Sequence, residues 1–352
     1  MIKKQILVTI IIVILLASTL IMSSCSAQNY SGFAFGTTYE LKLLGGKYKT
    51  AGAEIIAMFE DVENSISTNI ETSYVSKINS AELNEPIVVD DITIELFQLS
   101  ETVYASSGGA FDVSCYPLVE LWGFDTASSY IENIREEIPV LHDIWMESIN
   151  VGLDKFVLDR ENNTITKTIT EAKLGFGGIA KGYVVSRAMT IAEEYGVTDA
   201  IINVGGNVGR IGIDIIVGVN NPRPTTSVAF ASFAMKDGET ISTSGDYNRY
   251  FIYEDDRYSH IINPISGYPV YTSPYENEDV KIISVTVISD EGGLADAYST
   301  AIFVKGVTEG LAFAESKGVK YLIIMDNNTY YLSSELEIDL LEANYSLATL
   351  DE

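Results

Sequence analysis

The chain has 352 residues, 47% of them apolar and 10% aromatic, and its 22 Lys and Arg stand against 49 Asp and Glu for a net charge of −27. That apolar content excludes a disordered chain, and the acidic excess excludes a broad basic face, so no nucleic-acid partner is expected. Two cysteines exclude a disulfide framework.

Lys3 and Lys4 precede an apolar run from Ile6 to Met22, and the small residues Ser23 and Ser24 lead to Cys25. This is a secretory leader. A Cys behind two small residues is similar to the lipobox of bacterial lipoproteins. Residues 1–24 therefore read as a lipoprotein signal peptide, Cys25 as the lipidated first residue, 25–32 as a short tether and 33–352 as the folded body. A signal anchor that stays attached is the alternative. Either way the body is expected outside the cytoplasm, held at the bacterial cell membrane. Cys115, in Asp112-Val-Ser-Cys115-Tyr-Pro117, reads as a small buried residue.

In the body, alternating or β-branched segments at 39–43, 155–158, 200–204, 214–219, 228–234, 280–288 and 321–325 recur between helical patterns. A helix is expected from about Ala51 to Ile66, with Ile55, Ile56, Phe59, Val62 and Ile66 on one stripe. A second is expected from Ile92 to Ser106, stopped by Gly108-Gly109. A third begins near Gly178 and ends at Gly196, and a fourth runs from Gly293 through Phe303. The fold class is α+β: mixed sheets with flanking helices, in a single compact domain with room for two lobes. No repeat or low-complexity segment interrupts it.

Three segments carry residue types suited to chemistry. In Leu174-Gly-Phe-Gly-Gly-Ile-Ala-Lys181-Gly-Tyr183 a glycine-rich turn opens a helix, where free N–H groups and the helix dipole favour an anion. Ala180 and Gly182 flank the Lys, so it is not a Walker P-loop; tight packing alone also explains such glycines. Asp296 and Thr300 stand one helical turn apart and share a face, a carboxylate and a hydroxyl suited to Mg²⁺; an Asp near a helix start is equally an ordinary dipole partner. His260 is one of two histidines, between a strand and a Pro-Gly turn, and is placed either as a general acid or base or as a structural residue. His142 lies in an amphipathic stretch without a polar cluster. Ser242-Thr-Ser-Gly-Asp-Tyr247 adds hydroxyls at a strand end. The aromatic stretch Leu121-Trp-Gly-Phe124 either covers a flat ring system or fills the core.

Taken in order, Phe35-Gly-Thr37, the Ser-rich stretch 65–79, Gly109-Ala-Phe-Asp112, Leu121-Trp-Gly-Phe124, Gly177-Gly-Ile-Ala-Lys-Gly-Tyr183, Asn203-Val-Gly-Gly206, Ser242 to Tyr247, His260-Ile-Ile-Asn-Pro264 and Ala295-Asp-Ala-Tyr-Ser-Thr300 resemble the ApbE family of FAD:protein FMN transferases over nearly the whole body. The resemblance implies an ApbE-like flavin transferase domain. Its substrate is FAD, its cofactor Mg²⁺, and it moves FMN to a Thr or Ser hydroxyl of a membrane redox protein with release of AMP. Carried over by position, it implies Gly178, Asp296 and Thr300 as Mg²⁺ ligands, and Phe35, Asn69, Ala110, Phe111, Asp112, Gly175, Lys181 and Ile262 as FAD contacts. His260, Asp296 and Lys181 are the implied catalytic residues. Four positions depart from the family's usual residues: Gly175 and Ser186 where acids are common, Asn69 where Tyr is common, and Phe35, still apolar, where Met is usual. Weaker stacking at Asn69 is expected to let hydrolysis of FAD to FMN and AMP compete with transfer. An FAD hydrolase and a flavin-binding lipoprotein without catalysis are the alternatives.

Overall fold

The computed structural model describes residues 28–125, 133–224, 227–274 and 280–348. The leader and Cys25 lie outside them. No helix among the described residues is long and apolar enough to cross a membrane.

A nine-stranded sheet forms the spine. Its strands, numbered in chain order, are β1 (Gln28–Ala34), β2 (Thr37–Leu44), β3 (Asp199–Val204), β4 (Asn207–Ile211), β5 (Thr240–Gly245), β6 (Ile282–Ser289), β7 (Lys320–Met325), β8 (Thr329–Leu332) and β9 (Ser346–Leu347). They lie side by side in that same order. Every neighbouring pair is antiparallel except β8 with β9. The stretch expected as a tether, 25–32, is strand from Gln28 onward. Tyr30 packs so closely over Gly52 that a Cβ there would lie 2.4 Å from its ring, and the strand pairs with β2 along its whole length.

Among the described residues, seven α-helices accompany the sheet: α1 (Tyr48–Ile66), α2 (Tyr74–Ser80), α3 (Asp91–Ser107), α4 (Tyr116–Leu121), α5 (Leu141–Ser148), α6 (Ala180–Glu194) and α7 (Gly292–Lys317). The expected stripe of α1 buries Ile55, Phe59, Val62 and Ile66. In α3, Asp90 caps the first turn by accepting from the Thr93 N–H, and Gly108 ends it in the left-handed region at φ 67°. α7 runs well past Phe303, with a kink at Gly306 where φ is 72°.

α1, α6 and α7 cover one face of the sheet and share the principal core. On the other face Phe230, Phe233 and Met235, from the strand Ala229–Met235, close a second core over Leu322 and Ile324. Because both faces are covered, β6 and β7 read as nearly continuous apolar runs rather than alternations. In β7, Tyr321, Ile323 and Met325 face the first core and Leu322 and Ile324 the second. A third cluster, around Trp122, Phe251, Tyr258 and Tyr268, builds a smaller lobe beside α4 and α5. The mixed α and β architecture and the flanking helices agree with the sequence expectation.

Candidate active site

Two helix N-termini cross at the centre of the molecule. A Cβ on Gly182 in α6 would lie 1.9 Å from the Gly292 carbonyl oxygen, and a Cβ on Gly292 in α7 would lie 2.3 Å from that of Gly182. Only a side chain of a single hydrogen fits either position. Ser186 accepts the Gly292 N–H at 2.6 Å, and the Glu291 carboxylate accepts the N–H groups of Gly293 and Leu294. Ser186, where the family resemblance leads one to expect an acid, thus serves as a neutral partner for the start of α7.

The crossing brings Asp296 against α6. Its side chain is almost wholly buried, and Oδ2 accepts from the Gly182 N–H at 3.1 Å and from Lys181 Nζ at 3.3 Å. Burial pushes the Asp296 carboxyl above its ordinary range, while Lys181 and the Gly182 N–H pull it back. Lys181 also donates to the Gly177 carbonyl at 3.1 Å. One turn along α7, Thr300 Oγ1 lies 3.1 Å from Ser244 Oγ, which is itself 2.8 Å from Ser299 Oγ. A Cβ on Gly178 would sit 3.9 Å from Thr300 Oγ1 and 3.2 Å from the Phe111 ring. Gly178, Asp296 and Thr300 therefore converge. The donors around them are a carboxylate, hydroxyls and carbonyls, which fit a hard cation such as Mg²⁺. Among the described residues no three or more His, Cys, Asp or Glu are grouped so as to hold a metal ion, so beside Asp296 the oxygen set depends on Thr300, Ser244 and backbone.

His260 lies near enough to Lys181 for that charge to act on its ring. Its Nδ1 lies 3.1 Å from the Arg249 carbonyl oxygen. A carbonyl only accepts, so Nδ1 carries the proton and Nε2 is left as an acceptor. Burial, then the Arg249 charge, and last Lys181 push the imidazole down to about 3, so the ring is neutral near pH 7.

The remaining expected contacts fall into place unevenly. Phe111 touches the glycine turn, as its contact with Gly178 shows, and Ala110 beside it is buried. Asp112 is tied up locally: Oδ1 accepts from the Ser114 N–H at 2.7 Å and from its hydroxyl at 2.6 Å. Burial pushes its carboxyl up to about 6 against those two bonds. Phe35 sits at φ 53°, its N–H donated to Glu63 at 3.0 Å and its ring edge-on to Phe59. Asn69 is exposed in a turn after α1. Gly175 donates its N–H to the Val113 carbonyl. The Ile262 side chain packs into the third core cluster, away from solvent.

Trp122 and Phe124 are core residues and do not cover a ligand. Trp122 is fully buried, donates its indole N–H to the Gly267 carbonyl at 2.8 Å and stacks with Phe251 and Tyr258. Cys115 is buried as expected, its thiol pushed well above the ordinary range by burial. Sequence reasoning did not single out Ser244 and Ser299, although both lie inside quoted motifs; only the packing of β5 against α7 makes them neighbours of Thr300. A cleft of about 750 Å³ lies elsewhere, lined by residues such as Leu41, Ile201 and Ile216, and none of the expected site residues borders it.

The model of the ApbE family matches residues 35–323. The chain is 28% identical to a FAD:protein FMN transferase of Vibrio cholerae over 92% of this chain and 96% of that protein. It is also 28% identical to one of Haemophilus influenzae, over 92% and 94%. Among solved structures, the flavin transferase ApbE from Vibrio cholerae superposes with a TM-score of 0.75 at 27% identity, over 88% of this chain and 98% of that one. The ApbE protein from Thermotoga maritima gives 0.75 at 28% identity, over 90% and 97%.

Proposed function

The chain belongs to the ApbE family, and we propose from that membership and from the site that it is a FAD:protein FMN transferase dependent on Mg²⁺. The observation that carries the reading is the buried Asp296 carboxylate, held between Lys181 and the Gly182 N–H of α6 and one turn from Thr300.

The chemistry required is exchange at a diphosphate. The oxygen of an acceptor hydroxyl bonds to the phosphorus of the FMN half, the bond from that phosphorus to the AMP oxygen breaks, and the hydroxyl proton passes to a base. A bound Mg²⁺ would neutralise charge that builds on the phosphate oxygens. Gly178, Asp296 and Thr300 are the residues that would hold it. Lys181 and the N–H groups of the glycine turn supply fixed positive charge for the same oxygens, preorganised and partly desolvated. His260 is the group suited to take the proton, because its free Nε2 is neutral at working pH and its other nitrogen is fixed by Arg249. Asp296 is the less available base: Lys181 and Gly182 already occupy its Oδ2.

The acceptor is a Thr or Ser hydroxyl of a membrane redox protein. The protein works outside the cytoplasm, tethered through a lipid on Cys25. Purified protein is incubated with FAD and a Thr-containing acceptor peptide, with and without Mg²⁺, and AMP, FMN and peptide are resolved by mass. AMP together with FMN-bearing peptide, in the Mg²⁺ sample alone, is the expected outcome. AMP with only free FMN, for every acceptor tried, would replace transfer by hydrolysis, and intact FAD throughout would leave a binding protein.

A further inference from the structure

We propose that Tyr116 supplies the aromatic surface on which the flavin ring of the substrate packs, and that position 175 is glycine to make room for it. The inference rests on the reading of FAD as substrate.

Tyr116 opens α4 at a junction of segments. Cys115 pairs with Lys173 as a parallel bridge, the Gly175 N–H donates to the Val113 carbonyl at 2.8 Å, and Lys173 is ion-paired to Glu120 at 2.6 Å. Residues 113–116 and 173–175 therefore run together as one wall. Gly175 does not have a positive φ, so backbone conformation does not demand glycine. Space does: a Cβ there would lie 2.6 Å from Tyr116 Cδ2 and 3.1 Å from Cγ. Any side chain at 175 would push the tyrosine ring aside.

The phenol lies beside the side chain of Thr68. That proximity brings the wall next to the turn carrying Asn69. Tyr116 thus stands among Asn69, Phe111 to Asp112 and Gly175, the positions expected to meet FAD. Its ring is only half-buried, whereas Phe111, Trp122, Phe124 and Phe176 nearby are spent on the core. An aromatic residue held in a wall of paired segments and half-exposed is suited to a flat heteroaromatic ligand, and stacking of this kind changes affinity by about 10-fold. The exposed Asn69 lacks a ring, and Tyr116 provides one in the adjacent segment.

The test uses the full-length chain in detergent, titrated calorimetrically with FAD and separately with AMP, with flavin absorbance and fluorescence recorded for the bound form. Tyr116→Leu is expected to raise the FAD Kd about 10-fold, to leave the AMP Kd within about 2-fold, and to abolish the absorbance shift seen on binding. Tyr116→Phe keeps the ring and is expected to stay within about 3-fold of wild type. Gly175→Ala leaves Tyr116 in the chain but displaces it; its FAD Kd is expected to rise with AMP binding unchanged, and it decides the matter should Tyr116→Leu not fold. A Tyr116→Leu chain with wild-type FAD affinity and spectrum overturns the inference alone, as does a folded variant that loses AMP and FAD equally. A wild-type chain that binds no FAD overturns the transferase reading itself.

Discussion

A carboxylate that is 4% exposed and holds only one cation and one N–H on its hydrogen-bonded oxygen is expensive unless something else uses its charge. Asp296→Ala is therefore expected to abolish Mg²⁺ binding and to lower AMP release from FAD by at least about 100-fold, measured by calorimetry and by product assay. Wild-type turnover in this variant, or in the presence of a chelator, would remove the metal from the reading. Asp112 is also raised by burial, but its carboxylate is held by Ser114 rather than by a cation. Its folded carboxyl titrates near 6 against 3.8 for the free group, so the folded state holds the proton more tightly than the unfolded chain. Stability from this group is fully present below about pH 3.8 and is lost as pH rises through about 6. Asp112→Asn is expected to flatten the Tm against pH between those values in the apo protein. His260 has the reverse sign. Its folded pKa is depressed to about 3 from 6.5, so its contribution is present above pH 6.5 and is lost as pH falls toward 3.

At the scale of elements, the site depends on how closely α6 and α7 approach. Gly182→Ala would place a methyl 1.9 Å from the Gly292 carbonyl oxygen and 2.8 Å from Asp296 Cβ, and both are on elements that cannot yield separately. A loss of about 3 kcal/mol in unfolding free energy is expected, with weaker Mg²⁺ binding because the Gly182 N–H leaves Asp296. Chemical denaturation and metal titration read the two effects independently; a stable variant with normal metal affinity would show that the helices have slack here. The helices themselves were legible because their signals are local. The α1 stripe and the Gly108 stop of α3 follow from periodicity and a left-handed cap. The kink that extends α7 to Lys317 was not, since Gly306 reads equally as an end. The strand at 28–34 escaped notice for a related reason. Its pairing with β2 and the Tyr30 contact to Gly52 are non-local.

Across the whole molecule, the net charge of −27 repels a substrate that is itself a diphosphate anion. The association rate of FAD is expected to rise with ionic strength, as screening shortens the reach of that repulsion from about 10 Å at 0.1 M salt to about 3 Å at 1 M. Stopped-flow flavin fluorescence measures this directly. A rate that falls with salt would mean that local charge, from Lys181 and the helix N-termini, dominates the approach. The sequence by itself determined the α+β class, the core stripes and the ordered series of motifs in which Asp296, Thr300, Lys181 and His260 stand, because each is written in short stretches of chain. Only the tertiary structure decided that Ser244 and Ser299 join Thr300, that Trp122 fills the core, and that Gly175 yields its space to Tyr116. Those relations link residues tens to more than a hundred positions apart, and they come into being only when the crossing of α6 and α7 and the pairing of separate segments bring the residues together.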